Sequence, residues 1–391
     1  MKLLLVTEFF PADLNLKFTG GVEARTFYLA RFLAKNNRVM VICRKTSVLT
    51  ESKKIANILV YPCGVKVKNI EANIFSVLER VFFIITAFFK GLKLEFDLVE
   101  GSNFVSYLPA FFLGFFKKKP KIAWYADVFK GKWINNFGLT GFFGEVIERL
   151  SLILPWEKVI ALSQNTKNRL IASGINKNKI TVVYGGVEFK KLKIQNSKFQ
   201  PKAGQPRAEK VKNILCISRL VKYKRVNDLI NAFLELAKRY LNITLTIIGQ
   251  GPEEEKLKKL VKDKNLEKKV FFLKNLTRND LIKTLKQSYL FCLPSIIEGF
   301  GLVTIEAAVY GLPYVISDIL TNKEITQSGK GGLLFKQENV SDLVNKIETL
   351  LKDKILYRQK QKEALILAKH YNWDTLAKQT EKIYQNCLTN N

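Results

Sequence analysis

Short apolar runs alternate with longer stretches of helical periodicity along almost the whole chain. Runs of about four to eight apolar residues read as buried strands, and recurrence at helical spacing reads as the helices that cover them. Residues 2–7 form a first strand, and a loop with Thr19, Gly20 and Gly21 leads into VEARTFYLARFLAK. There Val22, Phe27, Tyr28, Leu29, Phe32 and Leu33 recur at helical spacing, while Arg25, Arg31 and Lys35 fall on the other face. RVMVICR and ILVYPC are further strands, residues 73–94 a strongly apolar helix bearing Glu79, Arg80, Lys90 and Lys93, and FDLVEGS a strand with its loop. KIAWYAD is a strand ending at Asp127, followed by the loop VFKGKW. Residues 139–154 read as an amphipathic helix, with Leu139, Phe142, Phe143, Val146, Ile147 and Leu150 on one face and Glu145, Glu148 and Arg149 opposite. KVIALS, a helix over Asn165–Ser173 closed by Gly174, and KITVVYGGVE complete this half.

The pattern dissolves between Phe189 and Lys210 into Lys, Gln, Pro and Gly, which marks a linker. It then resumes with VKNILCIS, the helix NDLINAFLELAKRY, and ITLTIIG leading into Gly249, Gly251 and Pro252. VFFLKNL, the helix NDLIKTLKQ, YLFCLP, PYVIS, GLLF and helices from Val340 and Gln359 follow. The last helix, from Trp373 to Cys387, comes after the second sheet is full and is expected to pack back on the first domain. Alternating strands and helices imply α/β domains with parallel sheets. The expected division is residues 1–188 with 373–391 returning to them, a linker over 189–210, and residues 211–372.

Length and composition agree with this. A chain of 391 residues with 47% hydrophobic and 25% charged residues is globular and exceeds one ordinary core. The formal net charge of +30, shared about equally by the two halves, favours anionic partners: nucleic acid, acidic lipid headgroups or phosphorylated substrates. A Lys-rich solvated surface accounts for it equally well. The five cysteines are scattered and lack metal spacing, which suits reduced thiols and a cytoplasmic location. The start MKLLLVTEFF reads as a strand rather than a signal peptide. Val81–Phe89 and Phe104–Phe116 both fall short of the ~20 apolar residues that cross a bilayer, so no transmembrane helix is expected. The second is aromatic and runs into Lys117, Lys118, Lys119 and Lys121. That is the form of an interfacial membrane contact; a buried helix ending in solvated charges fits too, with a core for the aromatics to fill.

Candidate chemistry gathers in the second half. In SIIEGFGLVTIEAAVYG, residues 295–311, Glu298 sits on a glycine-flanked loop and Glu306 in the helix that follows. A strand, glycine loop and helix present free N–H groups to an anion. SRLVKYKR, residues 218–225, places Arg219 and Lys224 on a loop at the same sheet edge. Arg binds two phosphate oxygens through its planar fork and Lys acts as a point charge. Each of these residues alone is an ordinary solvated charge; together they fall on matching edges of one inferred sheet, where ligands of open α/β sheets bind.

With these residues on the page, the sequence resembles the GT-B glycosyltransferases of the large retaining group called family 4, whose pattern is glutamate, seven residues, glutamate. The resemblance runs over the GGV loop at Gly20–Val22, SRL with Lys224, GQGP at Gly249–Pro252, the paired glutamates and the helix with Trp373. It implies two Rossmann-like domains facing across a cleft and a nucleotide sugar as donor. By the same resemblance Arg219 and Lys224 hold the diphosphate, and Glu298 with the N–H groups of Phe300, Gly301 and Leu302 holds the sugar. Glu306 binds the ribose, residues 274–276 lie against the base, and Gly20 and Gly21 close over the phosphates. No metal or other cofactor is expected, the only histidine being His370. Many relatives carry a first-domain histidine near the active site; this chain has none there, and Asp127 is the nearest polar candidate to orient the acceptor. The acceptor is expected to be a hydroxyl of a lipid-linked or membrane-surface molecule, a lipid or cell-surface glycan precursor, at the cytoplasmic face of an anionic membrane, with no specific nucleic acid partner. A sugar-nucleotide epimerase or phosphorylase of the same fold, and a basic protein that only binds nucleic acid or membrane, are the alternatives.

Overall fold

The computed structural model describes residues 1–14, 20–67, 74–134, 138–187 and 211–389. The linker expected at 189–210 and Thr19 lie outside the described residues. The chain forms two compact units, Met1–Gly186 with Trp373–Asn391, and Val187–Asn372.

In the first unit the strands are β1 (Lys2–Val6), β2 (Arg38–Arg44), β3 (Lys53–Ile55), β4 (Ile58–Cys63), β5 (Leu98–Gly101), β6 (Lys121–Tyr125), β7 (Lys158–Ala161) and β8 (Ile180–Val182). They form one sheet in the order β3-β4-β2-β1-β5-β6-β7-β8. Every pairing is parallel except that of β3 with β4. The apolar strands are central because helices cover both faces: Leu3, Leu4, Leu5 and Val6 are fully buried. The hairpin strand β3 carries no apolar run and went unread in the sequence. Its turn at Ala56 and Asn57 has φ of 48° and 65°, the mirror-image turn that matches strand twist.

The helices are α1 (Gly21–Leu33), α2 (Ile74–Leu92), α3 (Phe104–Phe116), α4 (Gly141–Ile153) and α5 (Gln164–Ala172). α2 packs along α3, and α3 along α4. α4 buries its acidic side. Glu145 and Glu148 are buried, whereas Phe142, Val146 and Leu150 are exposed. The cause is the loop after β6, whose backbone N–H groups need acceptors. Both oxygens of Glu148 accept from the Phe129 N–H at 3.1 and 3.0 Å, and Glu145 accepts from the Gly131 N–H at 2.8 Å. Gly144 lets the helix lie flat on that loop, since a Cβ there would come within 2.4 Å of the Trp133 ring.

The second unit holds β9 (Lys212–Ile217), β10 (Ile243–Ile248), β11 (Val270–Leu273), β12 (Leu290–Leu293), β13 (Tyr314–Ser317) and β14 (Gly332–Phe335). They pair in the order β11-β10-β9-β12-β13-β14, all in parallel. The helices are α6 (Val226–Arg239), α7 (Glu254–Asp263), α8 (Arg278–Gln287), α9 (Leu302–Val309), α10 (Leu320–Ile325), α11 (Val340–Lys352) and α12 (Lys354–Lys369). α12 starts earlier than the expected Gln359, because the Asp353 side chain accepts from the Ile355 and Leu356 N–H groups at 2.9 Å and caps it there. Leu229, Phe233 and Leu236 on α6 pack with Leu343 and Ile347 on α11 over the strands.

The last helix, α13 (Trp373–Thr389), belongs to the first unit. Its Trp373 ring stacks on Tyr28 at 5.7 Å. The Tyr384 hydroxyl donates to Glu100 Oε2 at 2.6 Å, and Glu100 is also held by Arg25, both side chains being buried.

Candidate active site

In the second unit the strand order reverses between β9 and β12, since β10 and β11 lie to one side and β13 and β14 to the other. Loops leaving the carboxyl ends of those two strands diverge there and open a crevice, the usual ligand position in such sheets. They carry the two predicted motifs. After β9 the chain makes a single tight turn over Lys222–Lys224 and enters α6 through Arg225, whose φ is 51°. Arg225 holds that elbow: its Nε donates to Asp228 Oδ2 at 2.8 Å, and Nη1 lies 3.3 Å from Glu338 Oε1. Lys224 Nζ is thereby aimed across the switch point at Glu298 Oε1, 2.5 Å away. The Ile296 N–H donates to the Tyr223 carbonyl at 2.9 Å, tying the two loops together.

Glu298 is buried, and its carbonyl accepts from Thr321 Oγ1 at 3.0 Å. Three residues on, Gly301 adopts φ 76° and ψ 38° as the N-cap of α9. That left-handed conformation strains any residue with a Cβ, which here would also meet Ile325 Cδ1 at 3.2 Å. No side chain caps α9, so its first N–H groups stay available to an anion. Ser295 Oγ, Thr304 Oγ1 and Asn322 Oδ1 are buried beside this loop with no hydrogen-bond partner among the described residues.

Arg219 lies on the same loop as Lys224 with its side chain exposed, and it forms no ion pair among the described residues. The GQGP segment braces it from β10. The Leu220 N–H donates to the Gln250 carbonyl at 3.0 Å, and Gly249 lies so close that a Cβ would overlap the Ser218 carbonyl oxygen at 1.8 Å. Glu306, midway along α9, pairs with Arg278 Nη1 at 3.0 Å, each side chain 24% exposed. Arg278 opens α8; nothing in its surroundings, TRNDLIK, distinguishes it from the many cations of this chain. Residues 274–276 form the loop after β11 at the same sheet edge.

The other predicted residues belong to the first unit. Gly20 is the extended N-cap of α1 and Gly21 its first residue, again without a capping side chain. Asp127 follows β6; its Oδ1 accepts from Arg169 Nη1 at 2.7 Å and from the Val128 N–H at 2.8 Å. Burial pushes the Asp127 carboxyl above its ordinary value, against the pull of Arg169. Nearby, burial pushes Glu148 up to about 7 although Trp133 and Phe129 donate to it. At the carboxyl ends of β1 and β2 is a buried ionic cluster that sequence reading passed over. Glu8 Oε1 accepts from Arg44 Nη1 and Arg80 Nε, each at 2.9 Å, and Arg44 Nη2 donates to Glu79 Oε2 at 2.6 Å. The available signal was a charge within two residues of the end of each apolar run, Glu8 after LLLV and Arg44 after VMVIC.

Among the described residues no group of three His, Cys, Asp or Glu side chains could hold a metal ion. No helix among them is long and apolar enough to cross a membrane.

Comparison with known proteins gives the family and the fold. Residues 19–191 match the model of glycosyltransferase family 4, and residues 197–368 that of the glycosyl transferases group 1. The chain belongs to this family of glycosyltransferases, and its fold is GT-B, two Rossmann-like domains. It is 32% identical over 173 residues to an uncharacterized glycosyltransferase of Haemophilus influenzae, a match covering 44% of this chain and 48% of that one. It is 27% identical over 248 residues to the alpha-monoglucosyldiacylglycerol synthase of Acholeplasma laidlawii, covering 60% of this chain and 57% of the relative. These matches thus span about half of each relative's length. A crystal structure of Anabaena HepE in complex with UDP-glucose superposes with a TM-score of 0.74 at 19% identity, covering 99% of this chain and 100% of that one.

Proposed function

We propose that the chain is a retaining glycosyltransferase that moves a sugar from a nucleoside-diphosphate donor to a hydroxyl acceptor carried on a lipid, at the cytoplasmic face of an anionic membrane, without a metal. The observation that carries the reading is the Lys224–Glu298 pair at the β9/β12 switch point, 2.5 Å across, beside the uncapped start of α9. A diphosphate entering there meets Lys224, Arg219 and the N–H groups of Phe300, Gly301 and Leu302. Lys224 exchanges Glu298 for phosphate, and Glu298 is released to accept hydrogen bonds from the donor sugar. The bond between the sugar's anomeric carbon and the phosphate oxygen breaks as negative charge builds on the diphosphate. Cations and amides already in place stabilise that charge. The acceptor oxygen bonds to the same carbon from the face the diphosphate leaves, its proton passes to a phosphate oxygen, and the configuration is kept. Glu306, oriented by Arg278, accepts from the ribose hydroxyls, and Asp127 orients the acceptor. The HepE complex with UDP-glucose supports a nucleotide sugar as donor, the diacylglycerol relative a lipid acceptor, and the buried free thiols a reducing compartment.

Incubation with a panel of nucleotide sugars and lipid-extract acceptors tests this. One donor is expected to be hydrolysed slowly and transferred faster, with the anomeric configuration of the product retained by NMR. Lys224→Ala and Glu298→Ala are each expected to abolish transfer. Full activity in both would overturn the site, and an inverted product the stereochemistry.

A further inference from the structure

Two helices of the first unit turn most of their charges inward and many of their large apolar side chains outward. In α2 every exposed residue is apolar: Phe75, Leu78, Val81, Phe82, Ile85 and Phe89. Their spacing draws one stripe down the helix, with Phe75 72% and Phe89 60% exposed. Of the charges of α2, Glu79 pairs with Arg44 and Arg80 with Glu8 inside, and Lys90 lies over the Tyr61 ring at 5.7 Å. α4 repeats the arrangement. Its exposed residues are Phe142, Val146, Arg149, Leu150 and Ile153, with Phe142 63% and Ile153 76% exposed, while Glu145 and Glu148 bind the loop beneath. Between them α3 ends in exposed Phe112, Phe115 and Phe116, and Phe116 meets Phe88 of α2 at 5.7 Å.

Scattered exposed apolar residues are ordinary, but large apolar side chains gathered on the exposed faces of three helices packed side by side mark an interaction site. The charges around it identify the partner. Lys93 follows α2, Lys118 and Lys119 follow α3, Lys130 and Lys132 precede α4, and all are exposed. Of the nearby carboxylates, exposed Glu95 is paired with Lys2. A second copy of this chain docking here would set cations against cations, which disfavours a symmetric dimer. A bilayer with acidic headgroups satisfies both features, taking the phenylalanines into its interface and the lysines onto its phosphates.

We propose that the exposed faces of α2, α3 and α4 form a docking surface for an anionic lipid bilayer. The proposal deepens the lipid-acceptor reading given above, for which it supplies a place, but lipid binding is measured independently of transfer. The full chain is sedimented with phosphatidylcholine vesicles with and without phosphatidylglycerol. Binding is expected with phosphatidylglycerol only, weakening as salt rises. Phe82→Ser with Phe89→Ser, Phe142→Ser with Ile153→Ser, and Lys118→Glu with Lys119→Glu are each expected to weaken vesicle binding by about tenfold or more. Circular dichroism, the thermal transition and the thermal shift given by the donor are expected to stay as in the wild type, which separates a lost surface from a lost fold or a lost donor site. Three outcomes would overturn the proposal: wild-type protein left in the supernatant at low salt, variants that bind vesicles as well as wild type, or a wild-type dimer that these variants dissociate. Transfer that fails with every donor while vesicle binding behaves as described would overturn the enzymatic reading and leave this surface standing.

Discussion

Lys224 and Glu298 lie 2.5 Å apart with most of both side chains out of water, 14% and 8% exposed, so each neutralises a charge that burial penalises. Removing one strands the other. Lys224→Met or Glu298→Gln alone is expected to lower unfolding stability by about 2–4 kcal/mol. The double variant should lose clearly less than the sum, because nothing is then left unpaired. Urea titration of the four proteins measures the coupling, and strict additivity would show that the pair contributes no interaction of its own. At this scale the sequence disclosed the residue types and their spacing: Glu298 on a glycine loop, Glu306 after a gap of seven residues, Lys224 on the loop after a strand. It could not disclose that Arg278 pairs with Glu306. A partner 28 positions away is chosen by how α8 and α9 pack, and one arginine among 64 basic residues carries no local mark.

Apolar periodicity made most elements legible, because a strand covered on both faces must be apolar throughout and YLFCLP or MKLLLV has few other uses. It names a helix's apolar stripe without saying which way the stripe faces. In α4 Phe142, Val146 and Leu150 of that stripe look outward while Ile147 stays buried, because the loop after β6 needs acceptors, a requirement set by residues ten or more positions away. This leaves Glu148 buried against Phe129 and Trp133, with its carboxyl pushed up to about 7 by desolvation. The sign follows from linkage. The folded chain keeps the Glu148 proton to about pH 7, whereas the unfolded chain releases it near the ordinary glutamate value. This group's contribution is therefore most favourable below that ordinary value, declines as pH rises toward about 7, and is flat above. Glu148→Gln, which does not titrate, is expected to remove that decline. The difference in urea midpoint between wild type and variant, followed from pH 4.5 to 8 (roughly the window set by those two values), checks it; a difference independent of pH would mean the carboxyl is ionised throughout.

The whole molecule is organised by a chain that leaves its first unit at Gly186 and returns at Trp373. The return is anchored locally: a Cβ at Gly186 would lie 2.5 Å from the Trp373 ring, and Asn37 Nδ2 donates to Glu381 Oε1 at 2.8 Å. The deepest anchor is Tyr384, whose hydroxyl donates to the buried Glu100 at the carboxyl end of β5, where Ser102 Oγ donates at 3.2 Å and Arg25 supplies the counter-charge. α13 thus completes the core of a unit from which it is separated in sequence by the whole of the other, so its loss should be felt by the first unit alone. Tyr384→Phe keeps the ring and removes one donor from a buried carboxylate, at a cost of about 1–3 kcal/mol. Chains of two domains commonly unfold in more than one transition. Calorimetry with and without a nucleoside diphosphate would assign them, since a ligand of the second unit raises only that unit's transition. Tyr384→Phe is expected to lower the transition the nucleotide leaves unmoved. An equal drop in both would mean that the two units unfold together and that α13 stabilises the molecule as a single cooperative body.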